Sequence, residues 1–255
     1  MSENLHGWPD DWAYYYDHMD VDRGAHVRFY ASLVTPQTRS LLDLGCGTGS
    51  ITLPVVERLA PGARVVGVDL SPGMIEIARA RAPHHDWRVG DLSRPPVQGH
   101  FDLILVCYHT MQMLLDPADF RAALASIAER LSPNGRFAFD IYQPNAEYLA
   151  GVSREPAYIR QFRDGEGRPL DIIETDTHYD AATKILYGNW SLVDAERQLP
   201  LPLPPIALNL RQYAPDDVQT MLAEAGLRVT ELWGDLDRKP FTPQSKLQIY
   251  VCELA

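Results

Sequence analysis

Between Ser40 and Tyr142, extended and helix-patterned segments alternate with short turns, and that rhythm leaves few ways to fold. The runs "SLLDLG", "RVVGVDL", "WRVGDL", "FDLILVCY" and "RFAFDIY" read as strands, the fourth being the most continuously apolar. Between them, "SITLPVVERLA", "PGMIEIARARA" and "PADFRAALASIAERLS" carry helical spacing. Ser71 offers an N-cap and Pro72 a first helical position for the second of these, and "PNG" stops the third. Such a βαβα order predicts an α/β fold whose mostly parallel sheet is covered on both faces.

The rhythm breaks after Tyr142. "AYIRQFRD", "PLDIIETDTHY", "KILYGNWSLV" and "PIALNLRQY" alternate with period two, and "DGEG" and "DAAT" read as hairpin turns. Pro200, Pro202, Pro204 and Pro205 form a stiff connector. The α/β pattern returns with the helix "PDDVQTMLAEAG", closed by Gly226, and the strand pair "LRVTELWG" and "KLQIYVCEL". At the other end, Val27, Tyr30, Ala31 and Val34 recur at helical spacing. The expected organisation is an N-terminal helical cap over 1–39, a seven-stranded core from 40–141 and 214–255, and an antiparallel β arm over 142–213 inserted after the fifth strand.

Charge and composition narrow the partners. With 23 Lys and Arg against 34 Asp and Glu, the chain carries a formal charge of −11 and no basic cluster, which disfavours nucleic acid. No apolar run is long enough to span a bilayer, so no membrane partner is expected. The start "MSENLHGWPDDW" lacks a secretory pattern, and Cys46, Cys107 and Cys252 form no CxxC pair, so a cytoplasmic location is expected. The histidines show no HExxH or HxH spacing, and no metal site is expected from it.

The first strand ends in "LLDLGCGTGS". Glycine lets a backbone turn tightly and approach a ligand. The spacing of Gly45, Gly47 and Gly49 brings the third glycine one residue earlier than in the dinucleotide fingerprint G-x-G-x-x-G. No basic side chain stands in the loop, and Asp43 precedes it. A ligand with an ammonium and a nucleoside but no phosphate fits better than a nicotinamide dinucleotide. Asp69, ending the second strand, is placed to accept both hydroxyls of a ribose. "GDL", Gly90 to Leu92, follows the third strand, where Asp91 can meet the exocyclic amine of adenine.

These residues resemble the class I S-adenosylmethionine-dependent methyltransferases, over 40–141 and again over 215–255. The resemblance implies a Rossmann-like core with S-adenosylmethionine as cofactor. Asp43 would lie near the methionine ammonium, with Gly45, Gly47, Thr48 and Gly49 around the methionine and ribose. Asp69 would hold the ribose, Leu70 and Met74 would pack on adenine, Gly90, Asp91 and Leu92 would meet the adenine edge, and the Cys107 backbone would lie near the methionine. The layout is similar to bacterial small-molecule methyltransferases of natural-product pathways, including amino-sugar and peptide N-methyltransferases. "VCYHTMQML" stands where adenine-N6 nucleic-acid methylating enzymes carry NPPY or DPPY.

The acceptor side is not carried over. His109 after the fourth strand is the candidate base, with Tyr108, Gln112 and Tyr142 beside it and Asp140 at the end of the fifth strand. The Tyr14–Tyr16 run offers Tyr15 and Tyr16 to the cofactor. In the arm, Glu174, Asp176 and His178 share one expected face, and Thr175, Thr177 and Tyr179 the other. Arg211 and Tyr213 share a face where the arm rejoins the core, and with Tyr179 are expected on the substrate pocket. The arm's edge could also pair two copies of the chain. The expected activity is methyl transfer to a small natural-product-like acceptor, N-methylation first, with His109 expected to contribute little as a base because nothing in the sequence supplies it with a clear partner. C- or O-methylation, peptide N-terminal methylation and a non-catalytic cofactor-binding subunit remain as alternatives.

Overall fold

A computed structural model describes residues 8–19 and 23–255; the remainder of the expected 1–39 cap, residues 1–7 and 20–22, lies outside the described residues. β1 (Ser40–Leu44) is central and parallel to both β2 (Arg64–Asp69) and β4 (Phe101–Val106). β3 (Asp86–Val89) extends the sheet beyond β2, and β5 (Leu131–Tyr142) beyond β4, again in parallel. β13 (Leu247–Leu254) and β12 (Leu227–Trp233) complete it antiparallel, giving the seven-stranded order β12-β13-β5-β4-β1-β2-β3. The Rossmann-like core expected from the alternating pattern is thus the fold that forms.

The period of two is preserved inside the buried strands. Leu42, Leu44, Ile104 and Val106 point into one core layer, where α5 (Pro117–Ala128) contributes Phe120 and Leu124 and α7 (Pro215–Glu224) contributes Met221. Leu41, Leu103 and Leu105 point into the other, against Phe29 and Tyr30 of α2 (Gly24–Ala31) and Val55 of α3 (Thr52–Val56). Each such side chain removed from water stabilises the fold by about 1.5–3 kcal/mol. α4 (Pro72–Arg81) starts as the sequence predicts, with the Ser71 hydroxyl accepting from the Met74 N–H at 3.3 Å. Gly67 in β2 is required by packing, since a Cβ there would lie 2.3 Å from the Trp87 ring.

The arm forms a second sheet. β6 (Ala157–Arg163), β7 (Pro169–Asp180) and β8 (Ile185–Asp194) make an antiparallel meander. The short β9 (Leu199–Pro200), β10 (Ile206–Ala207) and β11 (Leu210–Arg211) all pair with β8. Three details differ from the expected pattern. A helix, α6 (Ala146–Gly151), precedes the sheet, nucleated by Asn145, whose side chain accepts from the Tyr148 N–H at 2.7 Å. "PIALNLRQY" breaks into two short strands instead of one. Asp176 has φ +55° and the β7–β8 register shifts between Thr175 and His178, so the two faces read from strict alternation do not run through this point.

One face of the arm is apolar and buries part of the N-terminal helix. Phe162, Leu170, Ile172, Leu192 and Ile206 enclose Trp12 of α1 (Asp10–Tyr16) together with Met19. Trp12 is fully buried and its indole N–H donates to the Pro204 carbonyl at 2.9 Å. Both ends of the same helix are tied to the core. Asp10 accepts from the Ser71 hydroxyl and the Gly73 N–H, and Asp17 accepts from the Thr48 hydroxyl and pairs with Arg81 at 2.7 Å. No helix of the described residues is long and apolar enough to cross a membrane.

Candidate active site

The chain connections reverse direction across β1, with β2 on one side and β4 on the other, so a crevice opens at the carboxyl ends of these strands. A cavity of about 630 Å³ lies there, floored by the core and roofed by the arm and α1. Its volume is ordinary for a small-molecule site.

The glycine turn forms one wall. Gly45, Gly47 and Gly49 have φ of +76°, +54° and +78°, a region that disfavours any residue with a Cβ. A Cβ on Gly45 would also fall 2.5 Å from the Thr110 side chain. The turn is pinned by Gly45 N–H donating to the Val68 carbonyl at 2.7 Å and by Gly47 N–H donating to Asp69 Oδ2 at 2.8 Å. Asp69 Oδ1 accepts from the Ser71 N–H at 2.9 Å. Burial raises the Asp69 carboxyl and these backbone donors oppose the rise. The same carboxylate that sets the loop therefore stands on the cavity wall with further lone pairs to offer.

Asp43 is the unusual group of this wall. It is 1% exposed; Oδ2 accepts from the Thr52 hydroxyl at 2.5 Å, and Oδ1 has no hydrogen-bond partner. Burial pushes its carboxyl up to about 7, against the Thr52 hydrogen bond. A buried acid with an unsatisfied oxygen facing a cavity fits a cationic ligand, which would compensate it. Leu70, Met74 and Leu92 give apolar surface nearby, and Gly90, Asp91 and the Cys107 segment complete this half of the wall. The donor set fits S-adenosylmethionine: an acid for an ammonium, an acid for a ribose, apolar contacts for a purine, and no lysine or arginine within the glycine turn's own sequence.

The other half is built around Asp140, at the end of β5 and wholly buried. Tyr108 and His109, consecutive non-glycine residues with φ of +61° and +63°, form a strained turn after β4. Asp140 holds that turn: its two oxygens accept from the Tyr108 N–H at 2.9 Å and the His109 N–H at 3.1 Å, and Tyr30 donates its hydroxyl to Oδ1. The His109 imidazole then lies with Nδ1 2.6 Å from Asp140 Oδ2, a close polar contact off the line of a straight hydrogen bond. Burial alone would raise the Asp140 carboxyl; His109, His26 and the Tyr30 hydroxyl outweigh it and hold it below the ordinary carboxylate range. With Nδ1 buried, Nε2 is the nitrogen left to the cavity, which His109 lines beside Tyr108 and Tyr142.

The structure does not bring every expected residue to this cavity. Thr48 is buried against Asp17 and Arg81, Gly49 packs on Trp87, and Tyr15 packs against the arm cluster. Of the tyrosine run only Tyr16 reaches the wall, edge-on to Trp8 at 4.8 Å and under the Arg23 guanidinium. Gln112 is fully buried, its amide donating to the Tyr142 and Arg211 carbonyls and accepting from the Tyr142 N–H, so it ties β5 to the arm. Tyr179 lies off the wall, beyond the Asp176 bulge. Arg211 donates to the Leu115 carbonyl and Tyr213 to the Leu114 carbonyl, both on the far side of that segment. In their place the arm presents Ile159, Arg160, Glu174 and Trp190, and α6 presents Tyr148. Of these, only the period-two pattern of β7 gave a signal in sequence, at Glu174.

Such a sheet, with this glycine turn and its two acids at the switch point, defines a class I S-adenosylmethionine-dependent methyltransferase, and the chain belongs to that family. The family described as "Methyltransferase domain" matches residues 41–135. The 2-phytyl-1,4-naphtoquinone methyltransferase of Thermosynechococcus vestitus is 30% identical over 187 residues, 71% of this chain and 74% of that protein. Aklanonic acid methyltransferase DauC of Streptomyces sp. is 30% identical over 160 residues, 53% of this chain and 71% of that one. In shape the chain is similar to the CcbJ methyltransferase from Streptomyces caelestis, with TM-score 0.79, 20% identity, and 98% of this chain and 99% of that chain covered. The sugar N-methyltransferase KedS8 from Streptoalloteichus sp. gives 0.73 at 22% identity, covering 96% and 93%. The last two likenesses concern the fold.

Proposed function

We propose that this methyltransferase acts on a small, largely apolar natural-product-like acceptor and methylates a hydroxyl oxygen. The observation that carries the reading is the His109–Asp140 contact at the cavity wall. S-adenosylmethionine, when bound, supplies an activated sulfonium methyl, with Asp43, Asp69 and the glycine turn to hold it. An amine needs little beyond orientation to accept that methyl, whereas a hydroxyl needs its proton removed. His109 is arranged for that task. Asp140 fixes the turn that carries it and favours the tautomer with the proton on Nδ1, leaving Nε2 to accept the acceptor's proton. The sequence placed N-methylation first and offered His109 no clear partner; the contact with Asp140 supports oxygen chemistry instead.

The acceptor half supports a flat or aliphatic molecule: Trp8, Met113, Tyr142, Tyr148, Ile159 and Trp190 form its walls. Glu174, fixed by the Trp190 indole N–H at 3.0 Å, adds one carboxylate. The nocamycin O-methyltransferase of Saccharothrix syringae, 36% identical over 117 residues, is one relative whose name carries oxygen chemistry. The test is a screen of matched phenols, alcohols and amines with S-adenosylmethionine, read by mass spectrometry for one added methyl and by fragmentation for its position. Methylated oxygen supports the reading; methylation confined to nitrogen, with hydroxyl acceptors untouched, overturns it.

A further inference from the structure

Asp140 serves two imidazoles. His26, on α2, approaches it beside the β4 turn, with Nε2 4.0 Å from Oδ2, while His109 Nδ1 is 2.6 Å from the same oxygen. One ligand atom from each of the three residues lies within 4.8 Å of the others. The rings surround the position: His26 and His109 stand edge to face at 6.2 Å, and Tyr108 covers both. We propose that His26, His109 and Asp140 form a binding site for a divalent transition-metal ion, and that filling it switches off methyl transfer.

Two imidazole nitrogens and one carboxylate oxygen suit Zn²⁺, Co²⁺ or Ni²⁺ better than Mg²⁺ or Ca²⁺, which want more oxygen ligands. At metal–ligand distances of 2.0–2.2 Å, tetrahedral ligands stand about 3.3 Å apart. The Asp140–His109 contact must open and the His26–Asp140 gap close, each by about 0.7 Å, and the two imidazole nitrogens, within 4.8 Å of each other, must close by up to about 1.5 Å. The outer support already exists. Tyr30 and the two backbone N–H groups that fix Asp140 leave Oδ2 a lone pair for the ion, in the manner of hydrogen bonds that orient metal ligands.

The switching consequence rests on His109 as the base; the site itself does not. An ion on Nδ1 replaces the proton held there, so the ring carries its proton on Nε2 and can only donate at the cavity. The base is lost without any ligand entering the cofactor or acceptor space.

The test titrates the metal-free full chain with Zn²⁺ by calorimetry and with Co²⁺ by its visible absorption, for the wild type, His26→Gln and His109→Gln. Circular dichroism and an S-adenosylhomocysteine titration check that each variant is folded with its cofactor half intact. One ion per chain is expected, weakened in both variants by more than the roughly 100-fold that loss of mere outer-shell support produces. Binding that is absent in the wild type, or unchanged in both variants, overturns the proposal; in the second case the ion sits elsewhere, for instance at the adjacent His84–His85 pair. On a hydroxyl acceptor, Zn²⁺ is expected to slow the wild type at least tenfold, and to slow His26→Gln far less relative to its own metal-free rate. Ion binding that depends on His26 yet leaves transfer unchanged would establish the site and count against His109 as the base.

Discussion

Asp43→Asn tests the cofactor half of the site through its pH dependence. In the ligand-free protein, burial holds the Asp43 carboxyl up at about 7, against 3.8 for an ordinary aspartate. A ligand ammonium beside Oδ1 favours the ionised form, so binding releases a proton wherever the free site is protonated. If the bound carboxyl returns to its ordinary value, the association constant rises roughly twentyfold from about pH 5.5 to about pH 7.5, or about 1.8 kcal/mol. Calorimetric titration with S-adenosylhomocysteine, which keeps the ammonium and lacks the transferable methyl, measures this directly. Asp43→Asn should flatten the slope and lose about 1.5–3 kcal/mol of affinity near neutral pH, the range for a charge-assisted hydrogen bond. Stability runs the other way. A folded value above the unfolded one contributes stability that is complete below about 3.8 and lost as pH rises through about 7. That loss is on the order of 4 kcal/mol, so ligand-free Asp43→Asn should gain on the wild type as pH rises through this window. A wild-type affinity flat across the range, or a variant that keeps the slope, would refute the placement of the ammonium at Asp43.

Two further outcomes follow from the site's supports. Asp140→Asn removes the charge that holds the Tyr108–His109 turn, so transfer to a hydroxyl should fall by on the order of 10²-fold or more while S-adenosylhomocysteine affinity stays within a few-fold. A loss below tenfold would show that the turn holds itself. Trp12→Ala empties the pocket between α1 and the arm and should cost about 3–5 kcal/mol in chemical denaturation. A cost under about 1 kcal/mol would mean that α1 is not fastened there.

The core was legible because its strands are buried on both faces, so their apolar runs need no distant partner to be recognised. The glycine turn, Asp69 and Asp91 were legible for a related reason: each follows a strand directly, and the strand's end places it. What failed was contact between elements. Asp140 and His109 were both candidates, but parallel neighbours in a sheet leave no mark in sequence, so their pairing through the β4–β5 register was invisible. Thr48 was assigned to the ligand by the family resemblance, yet its hydroxyl donates to Asp17 at the end of α1. Tyr179, Arg211 and Tyr213 were assigned by face alternation, which the positive φ at Asp176 interrupts and the carbonyls of Leu114 and Leu115 override. Asn145 did carry an N-cap signal for α6, hidden inside a stretch read as strands.

The claim at the centre is that His109, held by Asp140, removes a proton from the acceptor. It is tested most directly by single-turnover methyl transfer to a hydroxyl acceptor found in the screen, with wild type and His109→Ala both saturated with S-adenosylmethionine. Loss of a positioned general base predicts a rate lower by on the order of 10²–10⁴-fold with unchanged cofactor affinity. A His109→Ala rate within tenfold of the wild type would contradict it and leave orientation alone as the source of catalysis.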